Sequence, residues 1–147
     1  MYKILLPTDG SDLSQKAVKL GMVFARALHA KVIGLHVIPE VHIPMDEGFV
    51  VPTNPTIRTR VEQDRKAAAQ RVLALVEQET KGADIECECV VGVNDTIYEE
   101  IISTAEKNNC ELIIMASHGH AGVAGLLLGS ETAKVLTHTK LPVLVLR

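Results

Sequence analysis

The chain has 147 residues, 47% of them hydrophobic, with a net charge of −3 and acidic and basic residues mixed along its length. That suits one globular domain with its own core and excludes disorder, and no apolar run approaches the length of a membrane-spanning helix. Four aromatic residues (Tyr2, Phe24, Phe49, Tyr98) and the mixed charge argue against a nucleic-acid surface.

Lys3 to Pro7 reads as a short apolar strand, and Thr8-Asp9-Gly10-Ser11 as a turn in which Ser11 or Asp9 caps the following helix. Ala17, Leu20, Gly21, Phe24 and Leu28 recur at helical spacing, so residues 12–29 are predicted to be an amphipathic helix. Val32 to Ile38 is nearly continuous in apolar residues, which fits a strand buried on both faces of a parallel sheet. Residues 39–60 hold four of the six prolines and lack periodicity, so they read as a Pro-rich insertion, long enough to be functional or mobile. Val61, Ala68, Val72, Leu75 and Val76 mark a second helix ending near Lys81-Gly82.

Asp84 to Val91 opens with polar–apolar alternation, the pattern of a half-exposed edge strand that places Cys87 and Cys89 on one face. All three cysteines are expected to be reduced and structural. Asn94 or Asp95 is expected to cap a third helix with Ile97, Ile101, Ile102 and Ala105 inward. Glu111 to Met115 is a fourth strand, about Glu131 to His138 a fourth helix, and Leu141 to Leu146 a fifth strand. The fold class is therefore α/β: a single domain with an open five-stranded parallel sheet and helices on both faces, Rossmann-like in winding. Ligands of such sheets bind beyond the carboxyl ends of the strands, where the strand order reverses. The last strand lacks polar alternation, and an apolar edge of that kind predicts pairing with a second copy.

Residues 115–132 hold four of the ten glycines, Gly119, Gly122, Gly125 and Gly129, between a strand and a helix. Glycines there let main-chain amides approach an anion, and the first turn of a helix at Ser130, Glu131 and Thr132 adds unpaired donors and a favourable dipole. The spacing is not that of a Walker loop, which needs a lysine, nor of the dinucleotide fingerprint, which would need glycine at Ser117 and belongs after the first strand. Asp9, at the end of the first strand, is suited to a ribose hydroxyl or to a magnesium ion bridging phosphates, and equally to capping a helix. His118 and His120 lack a third donor at a recognisable spacing, so zinc is not expected. Ser117 lacks the nucleophile-elbow context of a hydrolase. His36 fits a satisfied buried histidine.

The segments ILLPTDGS, GLHVI, IIMASHGHAGVAGLLLGSETAKVL and LPVLVLR, in that order along the whole chain, resemble the universal stress protein family. Its nucleotide-binding branch has G-x-x-G, nine residues and G-[ST], and here Gly119, residues 120–128 and Gly129-Ser130 fit, with Ala116 in place of the first glycine. The resemblance implies a single universal stress protein domain over 1–147 of adenine nucleotide alpha-hydrolase-like fold. It implies ATP, with magnesium, held by Pro7, Thr8, Asp9, Val37, Met115, Ala116, Ser117, His118, Gly119, His120, Gly129, Ser130, Glu131 and Thr132, with magnesium at Asp9. It also implies a stress-response role in the cytoplasm and a homodimer through Val143, Leu144, Val145 and Leu146. The expected function is an ATP-binding regulatory protein rather than a fast enzyme. Two alternatives stand beside it: a member that binds no nucleotide and acts through its dimer surface, and a slow ATPase.

Overall fold

A computed structural model describes residues 1–40, 55–120, 122 and 128–147. Strands β1 (Lys3–Pro7), β2 (Lys31–Ile38), β3 (Cys87–Val93), β4 (Leu112–Ala116) and β5 (Val143–Leu146) alternate with helices α1 (Asp12–Leu28), α2 (Pro55–Gly82), α3 (Ile97–Lys107) and α4 (Ser130–His138). All pairings are parallel and the order is β3-β2-β1-β4-β5. The chain winds outward from β1 to β3, then returns to the other side of β1 for β4 and β5. The reversal lies between β1 and β4. Among the described residues no helix is long and apolar enough to cross a membrane.

Alternation along the central strands explains their continuous apolar runs. Ile4, Leu6, Val32 and Ile114 face Val18, Met22 and Ala25 of α1 and Val76 of α2. Leu5, Ile33, Leu35, Ile113 and Met115 face Ile101 and Ala105 of α3 and Val135 of α4. Each such fully buried aliphatic side chain contributes about 1.5–3 kcal/mol relative to exposure. Helix α1 lies close on the sheet at Gly21, where a Cβ would stand 2.7 Å from Leu6 Cδ2. Ser11 is its N-cap and accepts from the Ser14 N–H at 3.3 Å.

Several predicted details are corrected. Helix α2 begins at Pro55, so residues 55–60 are helical rather than loop; residues 41–54 lie outside the described residues. Its buried side is Ala69, Leu73, Val76 and Thr80, while Ala68, Leu75 and Val61 are exposed. The reason is phase: only the second half of α2 covers the sheet, and its contact stripe runs through Ala69 rather than Ala68. On α1, Leu28 is exposed, and Val18, Met22 and Ala25 supply the inner side with Ala17 and Gly21. On α3, Ile97 is exposed at the first turn and Thr104 takes an inner position. The N-cap of α3 is Thr96, without a side-chain cap bond; Asn94 accepts the Thr96 N–H at 2.9 Å and Asp95 accepts the Glu40 N–H at 3.0 Å. Strands β3 and β5 are the sheet edges, and β3 starts at Cys87, after the predicted Asp84.

Candidate functional site

The carboxyl ends of β1 and β4, adjacent in the sheet, deliver two loops to one place. Pro7, buried at the end of β1, pairs with Leu35 of β2. Thr8 continues that register, donating its N–H to the Leu35 carbonyl at 2.8 Å, while its own carbonyl lies 2.7 Å from His36 Nδ1. The chain then turns at Gly10, whose φ of +80° places it in the left-handed region that glycine adopts without strain. The Thr8 hydroxyl accepts the Gly10 N–H at 3.2 Å and Gln15 donates to the Gly10 carbonyl at 2.9 Å.

Asp9 stands at the centre of this turn. Its Oδ1 accepts the Ser11 N–H at 3.0 Å and the Ser14 hydroxyl at 2.8 Å, and its Oδ2 accepts the His120 N–H at 2.8 Å. The carboxylate therefore joins the start of α1 to the loop after β4, across 111 positions of sequence. Burial raises the Asp9 pKa, and hydrogen bonds from Ser11, the His120 N–H and Ser14 together outweigh it, leaving it at about 2 against an ordinary 3.8. Asp9 is thus not itself the cap of α1, which is Ser11, but braces that cap and ties it to the second loop. Gly119 is required here by space: a Cβ on it would collide with the Asp9 carboxylate.

The second loop leaves β4 through Met115 and Ala116, both buried, and Ser117, which is 1% exposed. Ser117 donates its N–H to the Leu146 carbonyl at 2.7 Å and its carbonyl accepts the Gly129 N–H at 2.6 Å. The Ser117 hydroxyl lies 3.0 Å from His118 Nδ1, which orients that ring. A Cβ on Gly129 would stand 2.9 Å from the Ser117 carbonyl, so this glycine too permits a close backbone approach. Gly129 is the N-cap of α4 and makes no side-chain cap bond, so the amides of Ser130, Glu131 and Thr132 start the helix without a capping side chain. Thr132 is buried and its hydroxyl donates to the Ala116 carbonyl at 2.9 Å, fixing α4 on the end of β4. The Glu131 carboxylate turns away, accepting the Tyr98 N–H at 3.0 Å at the first turn of α3 and pairing with Lys134 at 3.6 Å.

The predicted residues thus meet in two knots: Asp9 with Gly119 and His120, and Ala116 and Ser117 with Gly129 and Thr132. Val37 stands apart on β2, partly buried on the α3 side of the sheet and paired with Gly92. Gly125 lies outside the described residues. Sequence reasoning missed Ser14 and Gln15; His36, read as a satisfied buried histidine, is partly buried and bonded to the Thr8 carbonyl. The Ser11-x-x-Ser14 spacing, which offers two hydroxyls to one carboxylate, was the available signal for Ser14. The arrangement can hold an anion: main-chain amides at a helix start, no side chain on two close-approach glycines, and one carboxylate able to receive a hydroxyl or a cation.

The sequence pattern of the Universal stress protein family matches residues 1–147. The chain is similar to Universal stress protein MJ0577 of Methanocaldococcus jannaschii, 32% identical over 160 residues, covering 100% of this chain and 96% of that one. Universal stress protein MJ0531 of the same organism is 31% identical over 148 residues, covering 99% of this chain and 81% of its own. The solved structure of MJ0577 superimposes with a TM-score of 0.82 at 28% identity, covering 99% of this chain and 94% of that one. A universal stress protein family protein from Arabidopsis thaliana, solved with AMP bound, shares the fold at 16% identity and a TM-score of 0.68, covering 99% of this chain and 91% of its own. A full-length family match and two relatives above 30% identity leave one conclusion: this chain belongs to the universal stress protein family.

Proposed function

We propose that this chain is an ATP-binding regulatory protein that works as a nucleotide-dependent sensor rather than a fast enzyme. The observation that carries the reading is the meeting, at the strand-order reversal, of the Asp9 carboxylate with a glycine loop that ends in an uncapped helix start. Universal stress proteins with the same fold have been solved with AMP, dAMP and cAMP, which favours an adenine nucleotide as the occupant. The phosphates lie over the amides of Ser130, Glu131 and Thr132, beside Gly119 and Gly129, where the dipole of α4 favours them. Val37 offers backbone groups to the adenine, and Pro7, Thr8, Met115, Ser117, His118 and His120 line the groove. Ala116 is compatible with this, because its side chain is buried in the sheet and its carbonyl is held by Thr132.

The Asp9 carboxylate carries three hydrogen bonds and retains acceptor capacity for a ribose hydroxyl or for Mg2+. A hard oxygen donor of this kind suits magnesium, which would take its other ligands from phosphates and water. Magnesium would there neutralise phosphate charge next to a carboxylate. The segment Met115 to Thr132 contains no lysine or arginine. Phosphoryl transfer relies on such cations, so its rate here is expected to be low. The apolar edge strand β5, with Val143 to Leu146 all partly exposed, supports a homodimer closed through that strand in a cytoplasmic stress response.

Calorimetric titration of nucleotide-stripped protein with ATP and magnesium tests the reading. Micromolar binding with negligible turnover is the expected result. No binding up to millimolar ATP by an intact dimer would overturn it and leave the dimer surface as the working part.

A further inference from the structure

A second chemical feature lies away from the groove, under α2 at the β3 edge. Cys87 and Cys89 share one face of β3, and their sulfurs are 3.9 Å apart. Both are partly exposed, and both pack against the apolar cluster that includes Val76. The space for them comes from Gly34, the β2 partner of Cys89: a Cβ there would stand 3.1 Å from Cys89 Sγ and 3.1 Å from Val76 Cγ1. The Leu73 carbonyl lies 3.9 Å from Cys89 Sγ, and Thr80 and Glu77 of α2 are the polar side chains that face the pair.

Two thiols on one strand face can close on each other or on something between them, and geometry separates the two. Same-face neighbours in a strand have Cα atoms about 6.6 Å apart, at the upper limit of the range a disulfide tolerates. A disulfide would therefore sit at the edge of what a strand allows, and the sulfurs would have to close from 3.9 Å to about 2.05 Å while β3 stays bonded to β2. A bridging ion needs less movement: metal–sulfur bonds of about 2.3 Å would meet at roughly 115° across the existing gap, and rotation of the two side chains opens that angle towards the straighter one a two-coordinate ion takes. Sulfur donors select soft ions. Among the described residues no group of three His, Cys, Asp or Glu side chains comes together, so a closed four-ligand zinc site is not on offer. An ion content with two thiolates is, and the Glu77 carboxylate favours positive charge nearby.

The geometry points to a two-thiolate site at Cys87 and Cys89 for a soft, low-coordinate cation of the Cu(I) type, entered from the open edge of the sheet. Binding is an acid–base exchange without redox change. Each thiol releases its proton to solvent, each sulfur donates a lone pair to the ion, and the ion gives up the ligand that delivered it.

The test is anaerobic titration of the full chain with Cu(I) held by a competing chromophoric chelator. One tightly held ion per chain is expected, with two sulfur neighbours in the X-ray absorption spectrum. Cys87→Ser and Cys89→Ser should each weaken binding by more than the roughly hundredfold that a lost outer-shell partner costs. Cys110→Ser, which alters a buried cysteine elsewhere, should bind as the parent chain does. Circular dichroism establishes that each variant is folded. Should either β3 variant unfold, blocking of the two thiols of the intact chain by a dithiol-selective trivalent arsenical must abolish copper uptake. Equal binding by parent and β3 variants, loss of binding in Cys110→Ser alone, or tighter retention of Zn2+ than of Cu(I) would overturn the assignment.

Discussion

The loop after β1 and the loop after β4 meet at the same point of the sheet, yet they are finished differently. In the first, Thr8, Asp9, Ser11, Ser14 and Gln15 engage one another and the backbone, so the turn is closed on itself and caps α1. In the second, Gly129 caps α4 with no side chain, and among the described residues the bond tying His120 down comes from the first loop. A self-satisfied turn is a platform; a helix start without a capping side chain keeps its donors open. The pair teaches that one loop is closed by its own side chains while the other is left open, and that among the described residues Asp9 joins the two.

That division is open to breakage, most severely at Asp9. Removing the carboxylate in Asp9→Ala costs α1 its cap network and frees His120, which we expect to lower stability by about 1–2 kcal/mol, a figure discounted for the half-exposed carboxylate. Urea unfolding measures it, and an unchanged midpoint would mean that the second loop stands without the first. The same link has a pH signature. With a folded pKa of about 2 against 3.8, the Asp9 contribution is complete above about pH 4 and is lost as pH falls from 4 towards 2. Asp9→Asn should flatten stability across that acid range, and a parallel curve would refute the link.

Next in size is Gly119→Ala. The added methyl pushes the Asp9 carboxylate off the His120 N–H, so ATP affinity should fall about tenfold, in line with the loss of a charged hydrogen bond. Calorimetry reads this directly. Ser11→Ala sharpens the contrast from the platform side. It should destabilise by about 1 kcal/mol, as loss of an N-cap does, with the ATP dissociation constant unchanged. A comparable loss of affinity would show that the two loops are not separable. The smallest effect is expected for Glu131→Gln, which weakens the charge at the first turn of α3 by about 0.3–1 kcal/mol in thermal unfolding.

Much of this was legible in the chain itself. The alternation of strands and helices, the edge character of β3 and β5, and the convergence of Asp9 with the glycine segment all follow from local pattern and winding rules. What escaped has a common cause. Leu28, Leu75 and Ile97 have the right spacing for a buried face but lie where the helix ends or overhangs the sheet, and periodicity reports a face without reporting what lies opposite. Asn94 and Asp95 have capping chemistry, yet their oxygens serve the Thr96 and Glu40 amides, a choice set by the path of the turn. The bond between Asp9 and His120 joins residues 111 positions apart, and no local pattern encodes it. Gly34 interrupts the side chains of β2, and only its pairing with Cys89 shows what the interruption accommodates.

Ser117 sits in series between two parts of the molecule. Its N–H is held by the last residue of β5 and its carbonyl holds the cap of α4, by bonds of 2.7 and 2.6 Å. An outward strain on the sheet margin therefore reaches the start of α4 through a single buried residue, with no loop or side chain in between to absorb it.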